Sequence, residues 1–134
     1  LAGHILVEID NYLDEFNKDC EFLRAFPKAP SFQSSWFVKM QDQGHLTSHI
    51  HETGWLSGVV YLKTPDNQLD NDGKIQFGID GDSYPNTDVT YPKKILDIKE
   101  GDIVLFPSSV FHQTIPFKSK TERICIAFDI TPPS

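Results

Sequence analysis

After Pro30 the chain is cut into short pieces. Runs rich in β-branched and aromatic residues alternate with clusters of Gly, Pro, Asn and Asp, a pattern with the period of strands rather than helices. This restricts the fold to an all-β sandwich or barrel, because such side chains suit a pleated, half-buried surface and the clusters between them supply turn chemistry. The runs lie near residues 36–40, 45–51, 56–63, 74–79, 94–98, 102–106, 110–115 and 122–130. Eight strands suit a jelly roll, the double-stranded β-helix. Two acid-rich stretches, Thr64 to Gly73 and Asp80 to Pro92, lack the twelve-position calcium-loop pattern with its terminal Glu and read as solvated turns.

Only the start of the chain departs from this pattern. Ile5, Leu6, Ile9, Leu13 and Phe16 recur at three- and four-residue spacing opposite Glu8, Asp10, Asp14 and Glu15, which predicts an amphipathic helix packed on the barrel. Apolar residues continue at Phe22, Leu23 and Phe26 until Pro27 and Pro30 end any further helix. The expected organisation is one jelly-roll domain over residues 1–134, with a helical leader at about 4–26 and a barrel at about 34–131. A chain of 134 residues, 39% apolar and with ten Phe, can bury one core of ordinary size.

Nineteen acidic residues against twelve Lys and Arg give a net charge of -7. No nucleic-acid partner is expected, because neutralising phosphates needs clustered cations. No membrane partner is expected either, since no apolar run approaches the roughly 20 residues of a span and no signal-peptide pattern opens the chain. Cys20 and Cys125 are too few and too far apart for a disulfide framework. Free thiols and a reducing, cytoplasmic setting are the expectation. With Leu1 where an initiator Met would stand, the sequence reads as a domain of something longer.

Chemistry concentrates in the histidines. His49 and His51 stand two residues apart before Gly54 and the apolar run Leu56 to Leu62. In an extended strand such residues share a face, so the two imidazoles can converge on one ion, whereas Glu52 joins them only if the chain turns there. His112, sixty-one residues after His51, follows Phe106-Pro107 in another strand-like run and can complete the site across a barrel. His45 is four residues from His49 and better suited to the rim, and His4 reads as incidental.

Gly101-Asp102-Ile103-Val104-Leu105-Phe106-Pro107 leads to His112, and Arg123 follows eleven residues later. Here the sequence resembles the Fe(II)- and 2-oxoglutarate-dependent oxygenases, and more closely a small subgroup in which His-x-His leads through Ser-Gly to a Tyr-bearing strand. The resemblance covers roughly residues 34 to 130. It implies that His49 and His112 hold iron(II), and that Arg123, with Tyr61, binds the remote carboxylate of 2-oxoglutarate. A planar guanidinium suits that role because it can grip a carboxylate through two parallel hydrogen bonds. The implied reaction is hydroxylation of a small-molecule or peptidyl substrate with decarboxylation of 2-oxoglutarate to succinate. Trp36, Phe37, Trp55 and Phe111 are candidates to line the mouth or pack in the core.

His51 breaks the pattern. The oxygenases usually carry Asp or Glu there, so three readings stand: a three-histidine iron site, a site in which Glu52 is the oxygen ligand, and a protein without oxygenase chemistry. Strand geometry favours the first. A different class also fits part of the pattern. Gly101, Pro107 and His112 are spaced like the second cupin motif, although the first expects a glutamate shortly after the second histidine, where Leu56 stands. A cupin-like three-histidine dioxygenase or a non-enzymatic metal- or ligand-binding module would use the histidines and have no special need of Arg123.

Overall fold

The computed structural model describes residues 1–16, 19–66, 69–87 and 90–134. Asn17 and Lys18 in the leader, and Asn67, Gln68, Asp88 and Val89 in the two stretches read as solvated turns, lie outside the described residues. Helices α1 (Ala2–Glu15) and α2 (Glu21–Arg24) precede eight strands: β1 (Phe32–Met40), β2 (Leu46–His49), β3 (Leu56–Lys63), β4 (Ile75–Gly78), β5 (Lys94–Leu96), β6 (Ile103–Pro107), β7 (Phe111–Thr114) and β8 (Arg123–Ile130). They form two four-stranded antiparallel sheets, ordered β1-β8-β3-β6 and β2-β7-β4-β5. This is the double-stranded β-helix expected from the spacing of the strand runs.

Period-2 alternation on β3 and β8 organises the interior. On β3, Leu56 and Val60 face α1, where they join Ile5, Ile9, Phe128 and Ile130 in one buried cluster. Val59 and Tyr61 face the opposite way and pack with Ile75, Phe106 and Cys125. Both faces of β3 are therefore covered, which is why its sequence is a continuous apolar run rather than an alternating one. Gly58 lies across from Phe128, and a Cβ there would come within 2.2 Å of the ring, so only glycine lets that side chain cross the strand.

β8 separates its two rows more sharply. Ile124, Ile126, Phe128 and Ile130 form one row. Arg123, Cys125, Ala127 and Asp129 form the other, and all four are buried. A strand interior thus carries a cation at its first residue and an anion six residues later, both facing the space between the sheets.

The leader consists of α1 and the short α2, which ends before Pro27. Trp55 fastens it: its indole stacks on Phe22 at 5.4 Å and its Nε1 donates to the Phe22 carbonyl. Trp55 therefore serves the leader and is not at the barrel mouth.

Candidate metal centre

Strand pairing brings the distant histidines together. His49, the last residue of β2, is the direct cross-strand partner of His112 on β7, and their ring centroids lie 4.4 Å apart. His51 lies just past the end of β2, where its backbone N–H donates to the Ser108 carbonyl at 2.9 Å. That anchor turns its ring back over His49, with centroids 5.3 Å apart. The three ligand nitrogens lie within 4.8 Å of one another.

Hydrogen bonding fixes which nitrogens converge. Nδ1 of His49 meets the Thr47 carbonyl at 2.7 Å, Nδ1 of His112 meets the Val110 carbonyl at 3.0 Å, and Nδ1 of His51 meets Asp129 Oδ1 at 2.7 Å. Carbonyl and carboxylate oxygens only accept, so Nδ1 carries the proton in each ring and each neutral imidazole is left with its Nε2 lone pair. Nε2 of His49 and Nε2 of His51 are 3.3 Å apart. With both protons committed to Nδ1, no hydrogen bond joins them, and the lone pairs repel unless a cation lies between. Nitrogens each about 2.0–2.1 Å from one ion are themselves roughly 3–3.4 Å apart, so this spacing fits a shared metal. A neutral imidazole set also suits iron by ligand type.

Burial, more than any other influence, pushes the His112 pKa from 6.5 down to about 4; the Val110 carbonyl opposes it, and the imidazoles of His49 and His51 add to it. The linkage has a definite sign. The unfolded chain takes up this proton first as pH falls, so stability present above pH 6.5 is lost as pH drops through about 4. Metal-free protein should lose on the order of 3 kcal/mol over that window. Urea unfolding of chelator-treated protein between pH 7 and pH 4 measures it, and a flat profile would contradict the assignment. Burial raises the Asp129 pKa, but hydrogen bonds from His51 and Ser57 outweigh it and hold the carboxyl below its usual range. Its share of stability is lost only at still lower pH.

Arg123 is 2% exposed. Its Nε donates to the Gly73 carbonyl at 3.0 Å, its Nη1 weakly to Cys125 Sγ and its Nη2 to the Tyr61 hydroxyl, both at 3.4 Å. Two of its five N–H donors remain without a partner among the described residues. Glu122, the neighbouring acid, pairs instead with Lys39 at 2.8 Å. Burial pushes the Tyr61 phenol up to about 12 against the pull of Arg123, so it remains a neutral hydroxyl. Arg123, the three histidines and Trp36 line one cavity of about 50 Å3 between the sheets. A surface cleft of about 670 Å3 along Asp42, Asp66 and Lys118 is larger but holds none of the histidines.

The profile of the family described as "Putative 2OG-Fe(II) oxygenase" matches residues 34–129. The chain belongs to this family. Family membership implies, in general terms, an oxidoreductase that uses Fe(II) and 2-oxoglutarate. Among solved structures, HygX from Streptomyces hygroscopicus with iron bound is 14% identical, with a TM-score of 0.60 over 82% of this chain and 62% of that one. An oxidoreductase of the 2OG-Fe(II) oxygenase family from Burkholderia pseudomallei is 12% identical, with a TM-score of 0.57 over 77% of this chain and 45% of that one. A prolyl-4-hydroxylase from Pseudomonas putida is 17% identical, with a TM-score of 0.51 over 75% of this chain and 52% of that one. At these identities the likeness is one of fold, and the chain spans about half to three-fifths of each structure's length. No curated protein sequence matches it.

Other candidates from the sequence fall elsewhere. Glu52 accepts a hydrogen bond from the exposed Tyr84 hydroxyl and lies outside the histidine cluster. His45 is exposed, with Nδ1 against the Gln43 carbonyl, and His4 is exposed on α1. Trp36 does line the cavity, its ring 5.3 Å from that of His51. Phe37, next on the strand, points the other way and is 61% exposed, and Phe111 packs edge-on against Tyr84.

Three polar residues were not anticipated. Asp129 Oδ1 accepts from both His51 Nδ1 and Ser57 Oγ, the latter at 2.6 Å. The Ser57 proton is thereby committed, so Ser108 Oγ supplies the proton of the 2.8 Å bond between the two serines. Gly54 packs against this group, where a Cβ would lie 2.6 Å from Ser108 Oγ and 3.1 Å from Asp129 Cγ. The signal that could have found Asp129 is its place as the one acid after Arg123 in the strand run, in phase with that arginine. A buried carboxylate there requires a partner.

Proposed function

We propose that the protein is a non-haem iron(II), 2-oxoglutarate-dependent oxygenase that hydroxylates a small-molecule or peptidyl substrate, and that it works in the cytoplasm. The clustering of three imidazoles, with one ligand nitrogen of each within 4.8 Å of the others, carries this reading. Histidines that only hydrogen-bond within a structural jelly roll have no reason to gather three ligand nitrogens in one place.

His49, His51 and His112 would hold the metal by one face, which leaves positions open for a cosubstrate. Bound iron would supply the activation of dioxygen coupled to oxidative decarboxylation of 2-oxoglutarate to succinate. The chain's own part is binding and orientation. Arg123 offers its two uncommitted N–H donors to the remote carboxylate of the keto acid, and the neutral Tyr61 hydroxyl stands beside them. The presence of Arg123 in the same cavity as the histidines favours this reading over a cupin-like dioxygenase without a keto acid. The cavity is smaller than the several hundred Å3 of an ordinary ligand site. Loading therefore requires movement at the mouth, where Trp36 and Leu46 are 38% and 43% exposed.

Anaerobic addition of Fe(II) and then 2-oxoglutarate should produce a weak visible charge-transfer band, and oxygen should then release succinate. Absence of both signals would overturn the proposal.

A further inference from the structure

Each metal-facing histidine is held from behind, but not equally. His49 and His112 donate to backbone carbonyls, which are neutral acceptors. His51 alone donates to a carboxylate, Asp129 Oδ1, at 2.7 Å, and Asp129 is itself 5% exposed. His51 is also the residue that stands where related sites carry their carboxylate ligand. The position that lacks a negative charge is therefore the one position with a negative charge immediately behind it.

We infer that Asp129 is a positioning residue that supplies, through His51, the charge missing from the three-histidine set. The inference rests on the proposed iron site. A carboxylate that accepts from Nδ1 fixes the ring's tautomer and orientation and makes Nε2 a more electron-rich donor. It also leaves the buried centre with one compensating negative charge instead of none, which favours a bound dication and the higher oxidation state of a redox metal. The neighbouring hydroxyls fit this role. Ser57 and Ser34 donate to the carboxylate at 2.6 and 3.4 Å, which holds its oxygens in place without neutralising it. Gly54 leaves the space the carboxylate occupies.

Asp129→Asn keeps the shape and one acceptor oxygen while removing the charge. Anaerobic titration with Fe(II), and with Co(II) as a coloured stand-in, should show affinity weakened roughly 10- to 100-fold. The midpoint potential of the iron-loaded protein should move to more positive values, a change that a purely structural role would not produce. Unchanged affinity and potential in folded D129N, beside a wild type that binds metal, would overturn the inference alone; a wild type that binds no metal would overturn the iron site itself. If D129N does not fold, Ser57→Ala decides the matter. It removes a hydrogen bond from the carboxylate and keeps the charge, so metal affinity should be unchanged or tighter. A tenfold weakening in S57A would mean that the serine scaffold, not the charge, supports His51.

Discussion

Replacing His112 with alanine is expected to abolish metal binding and to flatten the acid sensitivity of the metal-free protein at the same time. Even the hydrogen-bond partner of a ligand is worth roughly 10- to 100-fold in metal affinity, so loss of the ligand itself should cost on the order of 100-fold or more. His112 is the buried member of the set, and its Nε2 is fixed by β7 pairing with β2 rather than by a mobile loop. No neighbouring side chain can take its place without breaking that pairing. Metal at about a hundred times Kd adds roughly 2.7 kcal/mol to wild-type stability, which thermal unfolding reads as an upward shift that H112A should lack. Without metal, the truncation loses ring contacts to Phe106 and Phe77 at every pH. It also removes the imidazole whose pKa falls to about 4, so the slope it contributes between pH 6.5 and 4 should disappear. A mutant that loses only packing would keep that slope.

Eight strands were legible because their cause is local. Alternating apolar residues and turn clusters act within a few positions of themselves, and each strand run contains or overlaps an observed strand. The histidine cluster was legible for a different reason. His49 and His51 are close in sequence, and His112 was a plausible third whatever the exact register. That His49 and His112 are direct cross-strand partners depends on how two sheets close, which no local pattern encodes. Arg123 opens β8, and its guanidinium is buried because the Gly73 carbonyl just before β4, Tyr61 on β3 and Cys125 on β8 close over it, a cover that no local pattern encodes. Asp129 was missed because nothing within the strand run itself pairs with it. Its partner His51 lies 78 residues earlier. The aromatic side chains were least legible, since the face each one takes is set by strand phase: Trp36 and Phe37 are adjacent and point to opposite sides.

Arg123→Met should separate cosubstrate binding from folding and from metal binding. Removing one member of a buried, hydrogen-bonded charge pair costs about 2–5 kcal/mol, or roughly 30- to 4,000-fold in affinity. Titration of 2-oxoglutarate into anaerobic, metal-loaded protein should therefore show a loss of at least that lower bound. Metal affinity should stay near wild type, because no hydrogen bond joins Arg123 to the histidines. Stability of the metal-free protein is subject to opposing effects. Methionine leaves the Gly73 carbonyl and the Tyr61 hydroxyl without their donor, a cost of about 1–3 kcal/mol. It also relieves the desolvation of a buried guanidinium that has no described carboxylate partner. These offset, so the net change should stay within about 2 kcal/mol. Arg123→Lys retains the charge and loses the planar fork, which places its 2-oxoglutarate affinity between the two. If R123M instead lost metal and stability together while binding 2-oxoglutarate as wild type does, Arg123 would be a structural cation, and the keto acid would have to be held elsewhere.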